Sequence, residues 1–433
     1  MDHFNYRHGE MYAEDVALAR VAEAVGTPFY CYSTATLVRH YTVFTDALAG
    51  LDTQVYFAVK ANGNIGVLAT LAALGAGADI VSIGELHRAQ AAGIPASKTV
   101  FSGVGKTARE LRAALAAGVH QINVESLPEL RSLSAIASDM GVTARIAIRV
   151  NPDVDAKTHK KITTGLSENK FGIAWEQAES VFAEAAAMPG IDVVGVAVHI
   201  GSQLTDLTPY RDAYTKVRGL VETLRAQGHD IRVVDLGGGL GIPYDAEDPP
   251  SPAEYGAMVK DVMDGIGCKL AFEPGRMICG NAGVLVSSVI YVKEGIDRSF
   301  LILDAAMNDL IRPAMYDAYH AVVPVRESTV GDNMAPVDIV GPVCESGDTF
   351  AKARMMPKLD PGDLVAFRSA GAYGAVMSSS YNGRDLVPEI LVNGADYDIV
   401  ADRFGVDDMM AREHVPAWLQ EPQSDKTPKE ASG

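Results

Sequence analysis

Cysteine is scarce in this chain and dispersed along it. Cys31, Cys268, Cys279 and Cys344 form no CxxC pair and have no histidine cluster beside them. That argues against a disulfide framework and a zinc site, so no metal is expected. Long apolar runs are missing too: no stretch approaches the ~18 uninterrupted apolar residues of a membrane span. The opening "MDHFNYRHGEMYAEDVAL" lacks a basic segment followed by an apolar one, so an unexported, cytoplasmic protein is expected. Positive charge is in deficit, with 37 Lys and Arg against 55 Asp and Glu and a formal charge of −18. Nucleic acid and anionic membrane are disfavoured as partners, and an anionic ligand has to be held by local cations.

What is present is enough apolar material, 48% of 433 residues, for substantial cores. Eight short apolar runs alternate with Ala/Leu-rich stretches: "VYFAV" (55–59), "ADIVSI" (78–83), "TVFSG" (99–103), "QINVE" (121–125), "ARIAIRV" (144–150), "VVGVAVHI" (193–200), "IRVVDL" (231–236) and "KLAFE" (269–273). Eight βα units favour a closed (β/α)8 barrel of the TIM type over an open doubly wound sheet. The intervening "IGVLATLAALGAG" and "TARELRAALAAG" have helical spacing and end in glycine, as the outer helices of a barrel do. After residue 277 the texture changes to β-branched runs such as "AGVLVSSVIYVKEG", "SFLILDA", "APVDIVGPV" and "DLVAFRSAG", which read as an all-β barrel or sandwich domain. The strand-like "TPFYCYS" (27–33) is assigned to that domain as well. The expected division is a barrel over 34–280, a β-domain from 1–33 plus 281–420, and a polar, disordered tail over 421–433.

Barrel active sites gather at the C-terminal ends of the strands, so the residues following each run belong together. Lys60 ends the first, His199 and Ser202 follow the sixth, "GGGLG" (237–241) the seventh, and "EPGR" (273–276) the eighth. Singly each has an ordinary explanation: a solvent-facing strand end, a hydrogen-bonded histidine, a tight turn. Jointly they suit pyridoxal phosphate. A lysine amine condenses with the aldehyde, Gly237, Gly238 and Gly239 let backbone approach a phosphate, His199 meets a flat ring, and Glu273 keeps a pyridine nitrogen protonated. Asp79 and Glu85 either orient Lys60 or simply pair with it, and are not counted among the site residues.

"YFAVKAN", "HIGSQ", "DLGGGLGIPY", "EPGR", "MNDLIRPAMYDAYH", "CESGDTF" and "GAYG" follow one another in the order of the diaminopimelate decarboxylase family, and the chain resembles it over roughly residues 25–415. The resemblance implies an alanine-racemase-type barrel, a β-domain and a homodimer with active sites at the interface. It implies that Lys60 carries pyridoxal phosphate covalently and that His199 stacks on the ring. Ser202, Gly238, Gly239, Pro274, Gly275 and Arg276 then lie around the phosphate, Glu273 meets the pyridine nitrogen, and Tyr373 touches cofactor and substrate. By the same resemblance Arg276, Arg312 and Tyr316 take the distal carboxylate of the substrate and Glu345 its distal amino group. Cys344 is the proton donor, entering with Glu345 from the other subunit. Ala306 stands where the family usually has glycine.

The implied reaction is decarboxylation of meso-2,6-diaminopimelate to L-lysine and CO2, the last step of lysine biosynthesis by that route. Decarboxylases of the same group that use ornithine, arginine or D-configured lysine share the cofactor residues and differ at the distal pocket, where Arg312 argues for a carboxylate. A racemase needs two opposed bases, which "CESGD" does not supply. A catalytically silent regulatory relative has no use for both Lys60 and Cys344.

Overall fold

The computed structural model describes residues 2–155, 170–328 and 333–419. Eight parallel strands, β1 (Thr53–Ala58), β2 (Gly77–Ile80), β3 (Thr99–Phe101), β4 (Gln121–Val124), β5 (Ala144–Asn151), β6 (Ile191–Ala197), β7 (Val233–Asp235) and β8 (Lys269–Phe272), pair in sequence order. The ring closes where Leu270 of β8 pairs with Thr53 of β1. This is the expected (β/α)8 barrel. Its strands are short and buried on both faces, which is why they read as apolar runs rather than alternating ones. A further two residues, Ile173–Ala174, pair beside the end of β5.

The helices are bounded by their own chemistry. Thr107 closes a capping box on Ala108–Ala117, and Gly118 ends that helix in the left-handed region. Ser251 makes the same box on Pro252–Met263, with proline in the first turn. Capping also explains a strand end that the apolar pattern overruns. β2 stops at Ile80 because the Ser82 hydroxyl accepts the Glu85 N–H and starts the helix Ile83–Ala91. Lys60 likewise lies just past its strand, in the single 3-10 turn Val59–Ala61.

The second sheet runs in the order Thr349–Pro357, Met334–Val340, Ser299–Leu303, Gly283–Glu294, Phe29–Ser33, Glu389–Asn393 and Asp396–Ala401. Leu364–Phe367 pairs with Gly283–Glu294 and with Val322–Pro324. Phe29–Ser33 is antiparallel to Gly283–Glu294. An element not foreseen covers this sheet: a meander of Phe4–Arg7, Glu10–Ala13 and Val16–Ala17 followed by the helix Leu18–Val25. Phe4, Met11 and Val21 share one apolar cluster with Phe29, Val284 and Ile390. The expected tail, 421–433, lies outside the described residues. No helix among the described residues is long and apolar enough to cross a membrane.

Candidate active site

The C-terminal ends of the barrel strands surround a cavity of about 530 Å³, counting the space at its mouth that is open to solvent, and its wall includes Lys60, His199, Ser202, Gly238, Gly239, Glu273, Pro274, Gly275, Arg276 and Tyr373. Residues drawn from four strand ends and from the β-domain thus meet in one place. Lys60 Nζ donates to Asp79 Oδ2 at 2.5 Å. Ala58 and Asp79 are register partners on β1 and β2, so the barrel's own pairing delivers the acid to the amine. Burial pulls the Lys60 pKa down, but Asp79, Glu273 and Tyr373 outweigh it and hold the amine above its ordinary value.

Glu273 forms the floor. Its Oε1 accepts from Asn123 Nδ2 at 3.2 Å and from Ser102 Oγ at 3.3 Å, and the same Asn123 nitrogen donates to Asp235 Oδ2 at 3.0 Å. Burial, the adjoining Asp235 and then Asp79 push Glu273 well above the ordinary carboxylate range. Two buried carboxyls in contact cannot both ionise cheaply, so one proton stays with the pair. His199 is the opposite case: burial first, then Arg149 and Lys60, hold its pKa well below the usual value. Its Nδ1 accepts the Gly238 N–H at 3.2 Å, leaving the ring proton on Nε2.

Two arginines line the outer side. Arg276 Nη1 donates to the Tyr244 hydroxyl at 2.7 Å and Nη2 to Ser202 Oγ at 3.2 Å, and its guanidinium lies 4.8 Å from the Tyr373 ring centre. Tyr373 is set by a left-handed backbone, φ 55°, and by its N–H donating to the Ala61 carbonyl at 2.8 Å. Composition alone makes that stretch a flexible loop. Arg312 and Tyr316 bracket the one-turn helix Arg312–Tyr316, with Pro313 in its first turn. Both face an open cleft of about 1160 Å³ that shares His199, Ser202, Arg276 and Tyr373 with the inner cavity. Neither Arg276 nor Arg312 forms an ion pair with a carboxylate among the described residues.

The residues present fit pyridoxal phosphate. A primary amine lies in the cavity wall, and Arg276 is buried with no hydrogen-bond partner for its Nε among the described residues. The glycine loop tolerates no larger residue: a Cβ on Gly237 would come 2.5 Å from the Val198 carbonyl oxygen, and one on Gly238 would collide with the Glu273 carbonyl. Among the described residues no group of three or more His, Cys, Asp or Glu is arranged to hold a metal.

Cys344 and Glu345 are not brought to this cavity by their own chain. Both are exposed, on a loop organised by the buried Asp348, whose carboxylate accepts from the Val343 N–H at 2.8 Å and the Met307 N–H at 2.7 Å. The Cys344 N–H donates to Asn382 Oδ1 at 2.8 Å. Asp79, which the sequence names beside Lys60 without deciding its role, pairs with the amine; sequence reasoning missed Asn123 and Asp235 as site residues, and Tyr244 and His320 as partners of the arginines. The signal existed for each: polar residues inside apolar runs for Asn123 and Asp235, and the last letters of "GIPY" and "YDAYH" for the other two.

Residues 34–280 match the family model "Pyridoxal-dependent decarboxylase, pyridoxal binding domain". A diaminopimelate decarboxylase of Pseudomonas aeruginosa is 52% identical over 415 residues, 96% of this chain and 99% of that protein. Among solved structures, diaminopimelate decarboxylase from M. jannaschii in complex with L-lysine superposes with a TM-score of 0.92 at 36% identity, covering 97% of this chain and 99% of that one. The Helicobacter pylori enzyme complexed with L-lysine gives 0.88 at 39% identity, covering 91% and 98%.

Proposed function

The chain belongs to the pyridoxal-dependent diaminopimelate decarboxylases, and we infer from that premise a carboxy-lyase converting meso-2,6-diaminopimelate to L-lysine and CO2, the final step of lysine biosynthesis. The observation that carries this reading is the juxtaposition of Lys60, in a glycine-lined cavity, with two guanidinium groups that have no carboxylate partner among the described residues. A substrate with an amine at one end and a carboxylate at the other spans those positions. An ornithine-like substrate leaves Arg312 without a counter-charge, a costly state for a buried cation.

The roles follow from the chemistry of each group. Bound pyridoxal phosphate supplies an electron sink for the pair left when the bond from the α-carbon to the carboxylate breaks. Lys60 would hold the cofactor covalently, and Gly238, Gly239, Gly275, Ser202 and Arg276 would surround its phosphate, with Pro274 completing the wall. Glu273, sharing a proton with Asp235, keeps a proton at the floor of the cavity, where it would serve a ring nitrogen of the bound cofactor. His199 is an uncharged flat wall and Tyr373 closes the other side. Arg312 and Tyr316, with Arg276, grip the non-reacting carboxylate; this remote binding selects the reacting end and orients its scissile bond.

Cys344 protonates the carbon that has lost CO2, and Glu345 takes the distal amino group, both from the other subunit of a homodimer. Their exposure on a well-anchored loop that lines neither cavity of its own chain supports this. The same reading divides the chain into a cofactor-binding barrel over 34–280 and a β-domain from 1–33 plus 281–420, working in the cytoplasm.

CO2 release should be measured side by side on meso-diaminopimelate, L-ornithine, L-lysine and D-lysine. Diaminopimelate is expected to exceed the others by at least about a hundred-fold, the value of one buried charge-assisted contact. Turnover of D-lysine above diaminopimelate contradicts the substrate assignment.

A second expectation concerns Asp79. It raises the pKa of Lys60, so the amine stays protonated over a wider pH range, and only the deprotonated amine condenses with an aldehyde. Asp79→Asn lowers that pKa. Covalent uptake of pyridoxal phosphate by the cofactor-free protein is then expected to begin at lower pH than in the wild type, followed by the absorbance of the bound cofactor. An unchanged pH profile counts against the pairing.

A further inference from the structure

Arg312 is buried, yet what holds it is uncharged. Its Nη1 donates to His320 Nε2 at 2.8 Å, and its guanidinium lies 4.6 Å from the Tyr244 ring centre. His320 is only 2% exposed, and its other nitrogen, Nδ1, donates to the Arg368 carbonyl at 2.9 Å. That bond fixes the tautomer. With the proton on Nδ1, Nε2 presents a lone pair, and the lone pair points at the guanidinium.

Tyr244 meets the His320 ring edge-on at 5.5 Å and hydrogen-bonds Arg276. The charged groups around the imidazole are Arg312 and Arg276, with Arg354 donating to the His320 carbonyl. No carboxylate hydrogen-bonds this histidine among the described residues. Burial and the two arginines carry its pKa down to about 3, so the ring remains a neutral acceptor throughout the physiological range.

A carboxylate in that position would orient Arg312 equally well but would cancel the charge the arginine needs for a ligand. An imidazole of fixed tautomer gives direction without neutralisation. We propose that His320 is a positioning residue for substrate selection: by accepting from Arg312 through Nε2, it aims an uncompensated guanidinium at the distal carboxylate of the substrate. This deepens, and rests on, the functional reading above.

The test uses holoenzyme and two ligands of equal chain length. L-lysine retains the distal carboxylate, whereas 1,5-diaminopentane lacks it. Both are measured as inhibitors of diaminopimelate decarboxylation and by titration of the cofactor absorbance. His320→Asn keeps a donor for the Arg368 carbonyl and removes the acceptor for Arg312. His320→Gln returns an acceptor oxygen near the Nε2 position.

In the Asn variant L-lysine is expected to bind about ten-fold more weakly, with the diaminopimelate KM raised similarly and kcat little changed, as for loss of a hydrogen bond to a charged group. Binding of 1,5-diaminopentane is expected to be unchanged, and the Gln variant to regain most of the L-lysine affinity. Equal weakening of both ligands, no weakening, or a Gln variant as impaired as Asn overturns the proposal. If the Asn variant does not fold, nitrogen NMR of the wild-type holoenzyme decides. A His320 ring protonated on Nδ1 alone at neutral pH is expected, and one protonated on Nε2 or on both nitrogens overturns it. A wild type that neither decarboxylates diaminopimelate nor binds L-lysine instead removes the functional reading itself.

Discussion

Lys60→Ala is expected to lower kcat by about 10³-fold or more, the range for loss of a covalent nucleophile or an acid–base group, and to leave the protein without covalently bound cofactor. The fold is expected to persist, because Lys60 lies in a 3-10 turn past the end of β1 and contributes nothing to the barrel's hydrogen-bonded ladder. Stability should nevertheless fall. Asp79 is completely buried, its Oδ1 has no hydrogen-bond partner among the described residues, and Lys60 is the cation paired with its Oδ2. Breaking a fully buried pair costs about 3–5 kcal/mol. Because the Lys60 side chain is 36% exposed, solvent screening reduces the expectation to about 1–2 kcal/mol. Adding Asp79→Asn to Lys60→Ala should restore most of that stability and none of the turnover. Thermal melts beside CO2-release assays separate the two effects. A single variant that kept full turnover contradicts the assignment of Lys60.

The second large effect is expected from mixing inactive variants. Cys344→Ala should lose about 10²- to 10⁴-fold in kcat, as for removal of a general acid, while keeping the cofactor. If each active site takes Lys60 from one subunit and Cys344 from the other, a hybrid dimer of Lys60→Ala with Cys344→Ala has one site carrying both changes and one carrying neither. Random exchange makes half of the dimers hybrids, so about a quarter of wild-type activity is expected on mixing under conditions that exchange subunits. Mass spectrometry of the mixture confirms that hybrids formed. Hybrids without recovered activity contradict the shared site, and the exposed Cys344 loop then needs another role.

The barrel was legible because a parallel strand buried on both faces leaves a compact apolar run, and because capped helices punctuate the runs. The site was legible because a barrel collects its chemistry at one rim, so that Lys60, His199, "GGGLG" and "EPGR" could be read together. What stayed undecided, as for Asp79, or hidden, as for His320, depends on register and on reversals of the chain. Asp79 meets Lys60 only because β1 and β2 align Ala58 with Asp79. His320 returns to Arg312 because Asp317, in the left-handed region at φ 52°, ends the intervening helix and turns the chain back. The N-terminal meander was missed for a different reason. Its strands of two to four residues carry polar and charged side chains, and their apolar partners, Phe29, Val284 and Ile390, come from distant parts of the chain.

One amine, Lys60 Nζ, is expected to carry the cofactor chemistry. The most direct test is borohydride reduction of the holoenzyme, followed by digestion and mass spectrometry of the peptides. The expected result is a single phosphopyridoxyl adduct on the peptide containing "VYFAVKAN", with fragmentation placing it on Lys60. An adduct on another lysine, or fully active enzyme that yields none, contradicts the account.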